Sequence, residues 1–247
     1  MEIFIPSEDE LREKMRDAIR YFWKTRQSQQ SRQKENGKLD AGTRGAVTGG
    51  KQLDGFIELI RWILVQNRVS EHEIFTSGRV EIPGFYRPTK RWDIVVVRER
   101  NGRKQLVAAI ELKSQVGSFG KNFNNRTEEA MGNSLDLLTA YRKGAFGDGA
   151  PPPWLGFIML LEASPTSMTP VRVAESHFPV FPEFEYTSYA ERYEIFCKKL
   201  MLERNYSAAA LIMSENREQI DGQYFEPSPE LTMYRFIKSL IGHVIGT

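Results

Sequence analysis

Glu111-Leu112-Lys113 is the one place in this 247-residue chain where an acidic residue stands two positions before a lysine. Chance alone produces about one or two such tripeptides in a chain with 32 acidic residues, so any weight must come from where this one lies. It ends an apolar run, Lys104 to Lys113, that reads as a strand. Successive strand side chains alternate between faces, so Glu111 and Lys113 project together. A second run, Trp92 to Arg98, precedes it, and Asn101-Gly102 between them suits a two-residue hairpin turn. A turn there makes paired residue numbers sum to roughly 203 or 204, which sets Asp93 opposite Ile110 or Glu111. Two carboxylates and an ammonium then share one site. Carboxylates this close repel until a proton or a cation relieves them, and a hard, oxygen-preferring ion such as Mg²⁺ is the natural relief. A metal on Asp93 and Glu111 would bind a phosphate oxygen and a water together, which is the chemistry of phosphodiester hydrolysis. Lys113 would stand beside that water, as base or as charge stabiliser. Glu58 is the candidate for a further metal ligand, with a solvated helix glutamate as the alternative. Spacing alone is equally compatible with a surface salt bridge on a hairpin.

The elements that must position these groups follow from periodicity and punctuation. Ser7 and Glu10 suggest a capping box opening a helix from about Glu8 to about Arg32, with Leu11, Met15, Ile19 and Phe22 on one face. Residues Asn36 to Gly50, rich in glycine and small polar side chains, read as a loop. A second helix is expected from about Gln52 to Asn67, then short strands at Glu73 to Phe75 and Arg79 to Ile82 ahead of the hairpin. A helix over about Asn125 to Arg142 comes next, followed by a strand over Trp154 to Glu162. The chain closes with a helix over Tyr189 to Glu203, an apolar segment Ala208 to Met213 and a last helix from about Pro229 to His243. Helices flanking a mixed sheet make an α/β architecture in a single domain over 1–247, its first 52 residues forming the helix and Gly-rich loop that carry most of the chain's positive excess and are expected to contact a polyanionic partner.

Composition excludes several classes. At 40% hydrophobic and 27% charged residues the chain is ordinary for a globular protein. Its single cysteine, Cys197, rules out an internal disulfide and a multi-cysteine zinc site, and fits a reducing, bacterial-type cytoplasm. Neither a secretory leader nor a membrane-spanning apolar run is evident. Net charge is only +2, but from Ala18 to Lys51 eight Lys or Arg face Glu35 and Asp40. That asymmetry suggests a polyanion contact, although a solvated basic helix face would look the same. Gly45 to Gln52 nearly spells a phosphate-binding loop, but Gln52 stands where a hydroxyl is needed. His72, His177 and His243 lack zinc-ligand spacing. Cys197 reads as a buried thiol, and Trp154, Phe157, Phe196 and Phe236 as core.

Here the residues resemble a known family. Seventeen residues separate Asp93 from Glu111, as in the PD-(D/E)xK nucleases. Arg91-Trp92-Asp93, Glu111-Leu112-Lys113-Ser114-Gln115 and Ser118 through Arg126 together resemble the XhoI-type type II restriction endonucleases over most of the chain. The resemblance implies a restriction-endonuclease-like fold and a homodimer that cuts double-stranded DNA at CTCGAG with Mg²⁺, alongside a companion DNA methyltransferase for the same site. Trp92 stands where the motif has proline, which removes no metal ligand. The alternatives are a repair or recombination nuclease of the same superfamily, or a DNA-binding module without catalysis.

Reading a site that contains G·C pairs needs Arg or Lys for guanine, while Asn or Gln suits adenine. Ser114 to Arg126 therefore reads as the recognition loop, offering Gln115, Lys121, Asn122, Asn124, Asn125 and Arg126, with Gly117 and Gly120 permitting close backbone approach. Asn124 or Asn125 would alternatively cap the following helix. Arg87, Lys90 and Arg91 beside Asp93, and Arg44 and Lys51 in the basic stretch, are expected on phosphates.

Overall fold

The structure, a computed structural model, describes residues 3–35, 51–77, 80–100, 102–147, 149–174 and 177–247. Helix α1 (Glu8–Glu35) opens where Ser7 Oγ accepts the backbone N–H of Glu10, and α2 (Asp54–Gln66) follows a single 3₁₀ turn over Lys51–Leu53. The Gly-rich segment and Arg44 lie outside the described residues. Then come β1 (Ile74–Phe75), β2 (Glu81–Pro83), β3 (Thr89–Arg91), β4 (Ile94–Arg100) and β5 (Arg103–Gln115). Helix α3 (Phe119–Arg142), β6 (Trp154–Glu162), a one-turn helix at Pro165–Met168, α4 (Tyr189–Leu202), β7 (Ala208–Ser214) and α5 (Met233–Gly246) complete the order.

The main sheet has five strands in the order β1-β4-β5-β6-β7. β4 runs antiparallel to β1 and β5, whereas β5, β6 and β7 are parallel. This is the mixed sheet expected. β2 and β3 form a separate antiparallel ribbon. Even-numbered residues of β5 near its end (Ala108, Ile110, Leu112) enter the core filled by α1, α2 and α5, through Phe22, Phe56, Ile60 and Phe236 among others. Ala109 enters the opposite core, where α3, α4 and the ribbon pack through Phe119, Leu137, Tyr193, Cys197 and Trp92. Trp154, Phe157, Phe196 and Phe236 are all core residues, and Cys197 is fully buried. Among the described residues no helix is long and apolar enough to cross a membrane.

Two departures from the expected elements matter for the site. The hairpin holds both registers. Pairs near the turn, such as Arg100↔Arg103 and Val97↔Leu106, follow one, and Val96↔Ala108 through Ile94↔Ile110 follow the other. Val107 is the extra residue of a β-bulge, and it points with Ala108 into the same core. The bulge delivers Asp93 opposite Glu111 rather than Ile110.

The second departure is α3, which begins at Phe119 and not near Asn125. Most of the expected recognition loop is therefore helix. Phe119 stacks on Tyr189 (centroids 6.0 Å apart) and Phe123 meets Tyr193 edge-on at 5.0 Å, so tertiary packing carries helical structure through a Gly- and Asn-rich stretch. Neither Asn124 nor Asn125 is the cap; Ser118 is, in the left-handed region at φ 46° with no side-chain cap bond.

Candidate active site

Asp93 lies just before β4, where its N–H donates to the Ile110 carbonyl at 3.2 Å and its Oδ2 accepts the Leu112 N–H at 2.7 Å. The carboxylate is thus pinned to the backbone of the Glu-x-Lys strand. Glu111 is 1% exposed, and both its oxygens are engaged: Oε1 by the Lys113 ammonium, and Oε2 by Lys90 Nζ at 2.8 Å. Lys113 also approaches Glu129 of α3 at 3.7 Å, and Glu129 accepts Arg126 Nη1 at 2.8 Å. A chain of alternating charge, Lys90–Glu111–Lys113–Glu129–Arg126, therefore runs from the ribbon across β5 to α3.

Electrostatics sharpen the roles. Burial, and then the neighbouring Glu111 charge, push Asp93 up to about 6 from the usual 3.8, against the opposing pull of the Leu112 N–H and the lysines. Burial works against the Lys113 ammonium, yet Glu111 foremost, with Asp93 and Glu129, raises its pKa overall. Lys113 is held charged. Beneath the carboxylates, Tyr206 is buried and donates its hydroxyl to the Ala130 carbonyl at 3.1 Å. Burial, reinforced by Glu111 and Asp93, keeps that phenol neutral.

Asp93, Glu111 and Lys113 meet as their spacing implies. Lys90, expected on phosphates, instead joins them on Glu111. Glu58 does not: it projects from α2 on the opposite side of the sheet, its side chain 65% exposed and 3.8 Å from Arg61. Periodicity placed Glu58 on a helix but could not say which face of the sheet that helix covers. Arg87 is likewise taken up elsewhere. Its Nε donates to buried Asp136 at 2.7 Å and its Nη2 to Asn133, while the Phe85 and Tyr86 N–H groups also bond Asp136. These contacts clamp the β2–β3 ribbon to α3. A Cβ at Gly84 would stand 2.5 Å from Asp136 Oδ2, so the ribbon turn must approach without one.

Of the expected DNA contacts, Gln115 is 3% exposed and donates to the Gly117 carbonyl, so it holds the turn after β5 instead of facing outward. Arg126 is partly buried on Glu129. Lys121, Asn124 and Asn125 form an exposed face over the first turns of α3, Asn122 is half-buried, and Lys51 and Arg91 are exposed. Gly120 makes room for a side chain: a Cβ there would meet the Tyr189 hydroxyl at 2.7 Å. Glu129, Tyr206 and Asp136 went unread in the sequence. An Arg126–Glu129 pair at i, i+3 spacing inside the expected helix was the available signal for Glu129; Arg126 was read instead as a DNA contact.

Two hard carboxylates, one of them short of countercharge, suit a cation that prefers oxygen and completes its shell with water or phosphate. Among the described residues no cluster of three or more His, Cys, Asp or Glu offers a self-sufficient metal cage. The donor set fits an ion that is shared with substrate.

A model of the restriction endonuclease XhoI family matches residues 32–226, which include this entire cluster. The chain belongs to that family. It is 50% identical over 207 residues to the type II restriction enzyme BstVI of Geobacillus stearothermophilus, covering 83% of this chain and 92% of that protein. It is 46% identical over 187 residues to the type II restriction enzyme XhoI of Xanthomonas vasicola, covering 74% and 73% respectively. The type II restriction enzyme AbrI of Azospirillum brasilense is 46% identical over 156 residues. No solved structure matches the chain. As a member of this family the chain is a type II restriction endonuclease, a hydrolase of phosphodiester bonds in DNA.

Proposed function

We propose that the enzyme is a Mg²⁺-dependent homodimer that cuts double-stranded DNA at CTCGAG, with Asp93, Glu111 and Lys113 as its catalytic residues. The observation that carries the reading is the junction itself. Asp93 is fixed to the Leu112 N–H while Glu111 and Lys113 share the face of β5 beside it. Asp93 and Glu111 would hold the metal. When bound, that ion supplies Lewis acidity and a template for in-line attack. Lys113, kept as an ammonium by Glu111, stabilises the charge that develops on the phosphoryl oxygens; in its charged form it has no lone pair with which to act as base. Tyr206 and the surrounding core keep the floor of the site dry, which strengthens each of these interactions.

The exposed face of α3 that carries Lys121, Asn124 and Asn125 follows directly from the catalytic strand, so contact with bases is coupled to delivery of the scissile phosphate. Lys51 and Arg91 would meet phosphates. One such site cuts one strand, and a palindrome cut in both strands calls for two copies related by a twofold axis. The likeness to XhoI-type enzymes supports the CTCGAG sequence and a companion methyltransferase. The test is to incubate purified protein with plasmid DNA, with Mg²⁺ or with EDTA, and to sequence the fragment ends. Metal-dependent ends that all fall within CTCGAG are expected; unrelated ends, or equal cutting in EDTA, would overturn the assignment.

A further inference from the structure

Lys90 enters the site from outside the catalytic hairpin. It sits on β3, in the ribbon that Arg87 and Asp136 tie to α3. Its side chain is 15% exposed, and its ammonium lies 5.0 Å from the centre of the Trp92 ring and donates to the Arg91 carbonyl and to Glu111 Oε2. A carboxylate buried as deeply as Glu111 is costly without countercharge, and Lys113 and Lys90 each supply one to a separate oxygen. Asp93 instead accepts a backbone N–H. With Asp93 and Glu111 ionised, the four charged groups sum to zero before any metal arrives. A divalent ion on Glu111 must then contend with an ammonium already on Oε2. Of the two lysines, Lys113 is fixed on the same strand as Glu111, whereas Lys90 belongs to a separate ribbon.

We propose that Lys90 is a built-in counter-cation that holds Glu111 in place until the divalent ion takes over Oε2, so that metal binding and release of Lys90 form one exchange. The displaced ammonium stays beside the cluster and is free to meet a phosphate oxygen. The site, neutral when empty, becomes strongly positive once loaded, which couples metal occupancy to DNA binding. The exchange rests on the metal assignment of Asp93 and Glu111 given above. Lys90 acts here as a positioning residue, through Glu111.

Calorimetric titration of Mn²⁺ into the metal-free protein, without DNA, tests the exchange. Lys90→Met keeps the apolar stem over Trp92 and removes the competitor; it should bind Mn²⁺ at least about threefold more tightly than wild type, since the wild-type site is binding-competent only when Lys90 has left. Lys90→Arg keeps the charge and should bind close to wild type. The metal-free melting temperature of Lys90→Met should also fall, and saturating Mn²⁺ should restore more of it than the same ion adds to wild type. Should Lys90→Met fold poorly, Lys90→Gln, which retains a donor for the Arg91 carbonyl, serves the same comparison. Equal or weaker Mn²⁺ binding by a folded Lys90 variant would overturn the exchange and leave the metal site standing. Mn²⁺ binding that is unchanged by Glu111→Gln, or absent from wild type, would overturn the metal assignment and the exchange together.

Discussion

At the scale of residues, the site is a compromise between stability and chemistry that can be measured. Asp93 is held with its pKa raised to about 6, so its charge at neutral pH opposes folding. The sign follows from proton binding. Between the unfolded value near 4 and the folded value near 6, the folded state holds more protons, so stability falls as pH rises through that window. Asp93→Asn keeps the acceptor for Leu112 N–H and removes the charge. It should abolish cutting while stabilising the fold by about 1–3 kcal/mol above pH 6, and the gain should vanish by about pH 4; thermal melts across that range check both. Lys113→Ala should lower cutting by at least about 10²-fold while leaving the circular dichroism spectrum unchanged. Asp93, Glu111 and Lys113 were legible in sequence because strand alternation and a turn dipeptide fix relative positions along a single hairpin. Lys90 arrives from β3, Glu129 from α3 and Tyr206 from the connection between α4 and β7, and nothing local in the chain records that they meet.

At the scale of elements, what the sequence concealed is mostly a matter of faces and ends. The bulge at Val107 decides whether Asp93 faces Glu111 or Ile110, and an apolar run of Leu106 to Ala109 carries no mark of where the extra residue falls. Gly120 and the asparagines read as a loop because local propensity disfavours helix there, whereas Gly117 does lie in the turn between β5 and α3. Packing of Phe119 and Phe123 on Tyr189 and Tyr193 overrides that propensity. A Cβ at Gly120 would stand 2.7 Å from the Tyr189 hydroxyl, so Gly120→Ala should displace the Tyr189 ring from its stack on Phe119 and cost about 1–3 kcal/mol. Tyr189→Phe removes the hydroxyl that a Cβ would strike; in the double variant much of that loss should return, which a denaturant-unfolding cycle would show. A fully additive cycle would place the strain elsewhere.

At the scale of the whole molecule, the α/β class, the mixed sheet and the order of its main elements could be read in advance, because they follow from apolar periodicity and turn residues repeated over the full chain; the three-residue strand β3, and with it the β2–β3 ribbon, carries too short a pattern to be read. The distribution of charge said less than it promised. Of the cations expected on DNA, Arg87 is committed to Asp136, Arg126 to Glu129 and Lys90 to Glu111, which leaves Lys121, Lys51 and Arg91 facing outward among the described residues. Arg91→Ala should therefore weaken binding to cognate and unrelated duplexes alike and reduce the salt slope by about one; an unchanged slope would move the DNA backbone away from the β2–β3 ribbon. On the proposed function, buried Glu111 is the pivot of a metal-dependent centre acting at one palindrome. The most direct test of that role is the single-turnover cleavage rate of a duplex carrying a single CTCGAG, compared between wild type and Glu111→Gln in Mg²⁺. A loss of at least about 10²-fold, with site-specific binding retained, is the expected result; cleavage by Glu111→Gln at the wild-type rate would remove Glu111 from the catalytic centre.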